Sequence, residues 1–320
     1  CPGADELEVG HGCDIKLRSM NRGFFSRSLF HETAIIIYLA LLKLGFNVLF
    51  HGQYGYFRDE LYYIACSDHL AWGYVDQPPL SIFILAATRR LLGDSLHAIR
   101  FSAALAGAAV VFLAGLMARK LGGGKYAQFL AALAAAVSPV ILANGARYFS
   151  MNAFDLLFWA LAMYLVILIV KDDRPRLWLA FGAVVGLGLL NKYSVLFLGL
   201  GLVAGLLLTV RRKHLLNKWF WLGGLIALLI FLPHLIWEIQ HDFPSLEFMR
   251  RASAEKNVEM TLGGFLVGQF MHVGFIQYMI CLLGLSYFFF DREGKKYRFL
   301  GWTYVAIFSV MFGATQNPTI

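Results

Sequence analysis

Charge is scarce in this chain. Only 15% of its 320 residues are Asp, Glu, Lys or Arg, against 59% hydrophobic, and the mean hydropathy is +0.63. A soluble domain of this length carries more charge and less apolar surface, so a soluble enzyme is excluded. Strict apolar–polar alternation is also missing, which excludes a transmembrane β-barrel. Cysteine is sparse: Cys1, Cys13, Cys66 and Cys281 match no zinc or redox spacing, and Cys281 reads as a small apolar residue of a helix. The first 20 or so residues lack an apolar core and so form no cleavable signal peptide. The first helix is then expected to serve as an uncleaved signal anchor. No basic stripe forms outside the helix ends, so the net charge of +8 orients helices and does not point to nucleic acid.

What the chain does have is a series of apolar runs near the 20 residues needed to cross a bilayer. The expectation is an all-α polytopic membrane protein. Residues 1–31 read as a cytoplasmic tail, and residues 32–320 as one transmembrane domain. Spans are expected at about 32–50, 97–118, 126–144, 151–170, 219–237, 264–290 and 299–314, with two more helices in 177–210 meeting at Asn191-Lys192-Tyr193. That makes about nine. Within the loop 51–96, the segment 79–92 is too short to span and reads as an interfacial helix ending in Arg89 and Arg90. Residues 238–262 read as a polar loop.

With the N-terminus cytoplasmic, about 18 of the 28 Lys and Arg fall in the tail and four short inner turns, as the positive-inside rule requires. Both long loops, 51–96 and 238–262, then face outward. So do the polar knots at 144–152 and 191–193. The polar chemistry gathers on one side of the membrane.

The densest polar stretch is 56–80, YFRDELYYIACSDHLAWGYVDQPPL. Asp59 and Glu60 are either solvated surface acids or acids partly desolvated by Tyr54, Tyr56, Phe57, Tyr62 and Tyr63, and a desolvated carboxylate can act as a base. Arg58 stands beside them to keep one ionised. Asp76-Gln77-Pro78-Pro79 is either an ordinary helix-entry turn or a rigidly aimed acid for a base or metal position. Asp68-His69 reads as a surface turn. Asp155 lies one turn inside a span, where an acid needs a partner; Arg147 and Asn152 are the candidates nearby. Lys192 either snorkels to the interface or holds a phosphate near the surface. His234 and His272 read as structural, and His241, Asp242, Glu247, Arg250, Arg251 and Lys256 as a solvated or anion-binding loop.

FRDELYY (57–63), YVDQPPL (74–80), ARYFSMNAFDLLFW (146–159) and LLNKYSVLF (189–197), in this order and on one side, resemble the GT-C lipid-dependent glycosyltransferases. Within that class the chain is similar to glycosyltransferase family 39, the protein O-mannosyltransferases and bacterial lipid A aminoarabinose transferases. The resemblance covers about 50–275. It implies a GT-C type fold with two interfacial helices in the first outer loop. It also implies a polyprenyl-phosphate sugar donor, a lipid, glycan or protein acceptor, and transfer at the outer face of a bacterial inner membrane. By the same resemblance Asp59 is the catalytic carboxylate and Glu60 supports it. Arg147, Asp155 and Lys192 then help shape the donor site, while the donor's phosphate needs cations at the membrane surface, for which Arg58, Arg147 and Lys192 are the candidates, with Asn152 supporting. Asp76 falls where related enzymes place an acid available to a divalent metal, although no cofactor is required by the reading. Asn152 stands where related chains often carry an acid. The chain stops soon after its last expected span, as a truncated or short relative would. The alternative function, a transporter or flippase for an amphipathic lipid, calls for internal repeats and a midplane site. No convincing repeat is visible, and the polar residues lie at helix ends.

Overall fold

A computed structural model describes residues 33–143, 148–256 and 260–316; the expected N-terminal tail and Arg147 lie outside the described residues. Among those described, the chain is helical and turn-linked, with no strand. In order the helices are α1 (Thr33–Gln53, closing in a 3-10 turn), α2 (Arg58–Asp68), α3 (Leu80–Leu92), α4 (Leu96–Lys120), α5 (Lys125–Ala136), α6 (Pro139–Leu142) and α7 (Met151–Asp172). Then follow α8 (Leu177–Leu189), α9 (Val195–Leu207), α10 (Lys218–Gln240), α11 (Pro244–Lys256), α12 (Leu262–Val273), α13 (Phe275–Phe290) and α14 (Arg298–Gln316).

The long helices begin at side-chain caps. Ser95 accepts from Ala98 N, Ser150 from Asn152 N, and Asn217 from Trp219 N, each satisfying an N–H that has no partner within the helix. Four helices, α1, α4, α7 and α10, are long and apolar enough to cross a bilayer, and a fifth crossing arises if α12 and α13 count as one bent span. The nine-span expectation is therefore not reproduced by length and composition among the described residues. The segment 177–210 is two helices as expected, α8 and α9, each of 13 residues.

Three boundaries are corrected. The expected span 264–290 is two helices bent by 114°. Gly274 at φ 93° makes the corner, in a region of backbone space that favours glycine. The expected span 126–144 ends as an α-helix at Ala136, where Ser138 and Pro139 start the short α6. The expected polar loop 238–262 contains α11, entered through Asp242 and Phe243, both at positive φ.

Small residues let the helices approach closely, the usual means of packing where lipid removes the hydrophobic drive between helices. A Cβ on Gly182 of α8 would sit 2.0 Å from the Gly223 carbonyl of α10. One on Gly205 of α9 would meet the Phe299 carbonyl and Thr303 of α14 at 2.4 Å. Gly115 of α4 lies against Ile36 of α1 in the same way. A buried cluster of Tyr63, Ile82, Leu85, Ile99, Phe149 and Phe154 joins α2, α3, α4 and the start of α7. This cluster fixes the first loop on the membrane helices, so the loop's polar residues sit on a rigid base.

Candidate active site

Helix α2 carries the Asp59-Glu60 pair in its first turn, and the two acids part company there. Glu60 is fully buried. Its Oε2 accepts from Phe57 N at 2.9 Å, the backward half of a capping box. Arg100, in the first turns of α4, meets it side-on, Nε to Oε1 at 2.8 Å and Nη2 to Oε2 at 2.7 Å. Phe149 N donates to Oε1 at 2.7 Å. Arg100 also donates to the carbonyls of His51, Tyr54 and Gly55, at 2.6, 3.2 and 2.8 Å. One buried ion pair thus ties together the end of α1, the loop 54–57, α2, α4 and the entry to α7. Such a pair is held by its full set of hydrogen bonds, since each charge would otherwise be costly to bury.

Asp59 is different. Its side chain is 44% exposed, and Arg58, itself 90% exposed, donates to it at 3.2 Å. A carboxylate with this much access can meet a substrate. One turn on, Tyr62 donates to Asp76 Oδ1 at 2.6 Å, which fixes the acid of the D-Q-P-P turn against α2. Burial, the hydrogen bond and the charge of Asp76 all push the Tyr62 hydroxyl up. Tyr63 is pushed up to about 12 by burial, then by the charges of Asp76 and Asp59 and by Tyr148. Asp59, Asp76 and Tyr148 therefore all act on one buried hydroxyl. Where the chain leads into α2 lies a cavity of about 440 Å³ lined by Tyr54, Gly55, Tyr56, Phe57 and Tyr148, with the Phe57 and Tyr148 rings stacked at 4.7 Å.

A second polar cluster lies on α7 and the break between α8 and α9. Lys192 Nζ donates to Asn152 Oδ1 at 2.6 Å, and Ser194 Oγ donates to Asp155 Oδ1 at 2.6 Å. Asn191 Nδ2 donates to the Met151 carbonyl at 3.0 Å. The partner of Asp155 is thus Ser194; Asn152, expected as a candidate, serves Lys192 instead. This cluster is joined to the first loop by a backbone bond from Leu80 N to the Leu190 carbonyl, at 2.8 Å. Asp68 pairs with Arg89 at 2.7 Å and is 56% exposed, in keeping with a surface turn. Among the described residues, no group of three or more His, Cys, Asp or Glu stands ready to hold a metal ion, so the donor set around Asp76 is incomplete for one.

Arg100 escaped the reading of the sequence. Its only signal is a lone charge just inside an apolar run, which looks like an ordinary interfacial flank. Glu238, the lone acid of α10, escaped it too, and its neighbours are described below.

A family model described as dolichyl-phosphate-mannose-protein mannosyltransferase matches residues 76–237, about half of the chain. The match begins at Asp76, so Asp59 and Glu60 lie ahead of it. The lipid A galacturonosyltransferase RgtD of Rhizobium johnstonii is 26% identical over 271 residues, which are 82% of this chain and 57% of the relative. The chain thus spans little more than half of that relative's length. No solved structure matches.

Proposed function

This chain belongs to the dolichyl-phosphate-mannose-protein mannosyltransferase family, and from that premise we propose that it transfers a sugar from a polyprenyl-phosphate donor to a hydroxyl of a lipid, glycan or protein. It is a membrane glycosyltransferase in the general sense that family and relative share. The observation that carries the finer reading is a half-exposed Asp59 in the first turn of α2, with Asp76 held by Tyr62 one turn further along. The membership disfavours a lipid transporter or flippase, for which neither the family nor the relative is named.

In the proposed reaction Asp59 takes the proton of the acceptor hydroxyl as general base. The acceptor oxygen attacks the anomeric carbon from the side opposite the phosphate. The bond from that carbon to the phosphate oxygen breaks, its electron pair leaves with the polyprenyl phosphate, and the anomeric centre inverts. Single displacement at a sugar carbon has this stereochemical outcome. Lys192, Arg58 and Arg147 are the proposed cations for the phosphate. Asn152 holds Lys192, and Asp155 holds Ser194 beside it. Glu60, whose oxygens accept four bonds from Phe57, Phe149 and Arg100, positions the turn that presents Asp59. Asp76 supports through Tyr62, which holds it by the bond to Oδ1. The apolar helices supply the surface for the donor's lipid, and the aromatic cavity beside α2 offers flat faces to a sugar ring. The relative's name makes lipid A the first acceptor to try.

The charge asymmetry supports a site on the outer face of the inner membrane, with the N-terminus cytoplasmic. An Arg250→Cys variant tests this: α11 is exposed at that position, and the thiol is expected to react with an impermeant maleimide from outside intact cells. Labelling only after lysis would reverse the orientation. The activity is tested with purified protein in nanodiscs, polyprenyl-phosphate sugars and lipid A, reading released polyprenyl phosphate. Asp59→Asn is expected to lower turnover by about 10²–10⁴-fold, the usual contribution of a positioned base. Turnover at the wild-type rate would remove Asp59 from the role.

A further inference from the structure

The first loop is gripped by α10 and α11, about 160 residues further along the chain. His234 Nδ1 lies 2.7 Å from the Trp72 carbonyl. A carbonyl only accepts, so Nδ1 carries the proton and, in the neutral ring, Nε2 is left as an acceptor. The Tyr193 hydroxyl stands 2.6 Å from Nε2 and donates to it. The same hydroxyl lies 3.3 Å from Glu238 Oε1. Ser245 Oγ is 2.5 Å from that carboxylate oxygen and 3.3 Å from the Tyr74 carbonyl. His234, Glu238 and Ser245 are all buried.

Three consecutive residues of the loop are therefore held at once. The carbonyls of Trp72 and Tyr74 are bonded, and Gly73 between them faces the Trp237 ring so closely that a Cβ would sit 2.1 Å from it. Two residues on, the turn closes across Asp76 through Tyr74 N and the Gln77 carbonyl at 3.1 Å. At the other end of the network, Tyr193 is the immediate neighbour of Lys192. Apolar packing alone would hold these segments together but would leave their relative rotation loosely defined. Hydrogen bonds that share buried donors and acceptors specify one arrangement.

We infer that Tyr193, His234, Glu238 and Ser245 form a positioning network that sets the turn bearing Asp76 against the break bearing Lys192. The inference rests on the proposed glycosyl transfer, in which that acid and that cation serve one donor. None of the four is placed in contact with the reacting atoms. They act through the two segments they align.

The test uses the full chain in nanodiscs. Tyr193→Phe removes one hydroxyl and keeps the ring packing on Phe231 and His234. Ser245→Ala removes the hydroxyl that donates to Glu238 Oε1 at 2.5 Å and reaches the Tyr74 carbonyl at 3.3 Å. Each is expected to raise donor KM and lower kcat several-fold with little change in thermal stability. The double variant is expected to be no worse than the poorer single one, because residues of one network do not add. Multiplying effects, or an activity loss that only follows unfolding, would overturn the inference. Glu238→Gln keeps an acceptor oxygen and is expected to retain most activity, whereas Glu238→Leu is not; equal loss in both also counts against it. Hydrogen exchange gives a readout that does not need the reaction: Tyr193→Phe should speed exchange across residues 72–79 and leave α2 unchanged. Unchanged exchange at 72–79 overturns the network even if transfer is confirmed, while full activity in Asp59→Asn overturns the proposed base and leaves the exchange result standing.

Discussion

The Arg100 guanidinium and the Glu60 carboxylate meet in parallel, at 2.7 and 2.8 Å, with exposures of 1% and 0%. Removing one member leaves a buried charge without its counterpart. Arg100→Met is therefore expected to destabilise the protein by about 3–5 kcal/mol. The double variant Arg100→Met, Glu60→Leu should recover part of that loss, because no buried charge remains. Detergent-denaturation titration with circular dichroism reads both, and equal stability of single and wild type would show that the pair is not holding the loop.

Lys192, proposed as a phosphate cation, is held by Asn152 Oδ1 at 2.6 Å. A charge-assisted hydrogen bond contributes about 1.5–3 kcal/mol. Lys192→Met should therefore raise the donor KM by about ten- to a hundredfold, with a smaller effect on acceptor KM. Steady-state kinetics at fixed saturating acceptor measure this. An unchanged donor KM would point to snorkelling instead.

Cys66 is buried, and that burial pushes its thiol up, with the charge of Asp76 adding to the effect and a Tyr62 contact opposing it. The thiolate is the reactive form, so a raised pKa lowers its fraction at any pH below that pKa. In a variant with Cys1, Cys13 and Cys281 changed to Ser, iodoacetamide labelling should stay slow through the ordinary thiol range near pH ~8.5 and rise only at higher pH. In SDS the same thiol should titrate at its ordinary value. Equal rates folded and unfolded at pH 8 would contradict the burial.

Gly182 and Gly223 leave no room for a methyl group between α8 and α10. Gly182→Ala forces the two backbones apart and should cost about 1–3 kcal/mol, the usual range for overpacking. Because α8 leads into Asn191 and α10 into His234, the same substitution should also lower transfer. Gly224→Ala, with nothing within 4 Å of the added carbon, is the control and should be near neutral.

Features that interrupt apolar sequence were legible beforehand. Asn191-Lys192-Tyr193 marked the break between α8 and α9, and Asp59 and Asp76 marked the polar face of the first loop. The bend at Gly274 was not legible, because Gly263, Gly264, Gly268 and Gly284 lie in the same stretch and only the backbone angle tells them apart. α11 was hidden for a different reason. Its composition is polar, and its start depends on two residues at positive φ that no propensity announces. Arg100 and Glu238 are single charges whose meaning lies in partners 40 and 45 residues away. Such pairings are properties of the fold, and one sequence does not display them.

The bond from Leu80 N to the Leu190 carbonyl involves no side chain. Any residue but proline at position 80 can make it, and any residue at all can accept it at position 190. The contact between the first loop and the α8–α9 break at this point thus rests on main-chain atoms alone, and it tolerates a change of side chain at either position as long as proline stays out of position 80.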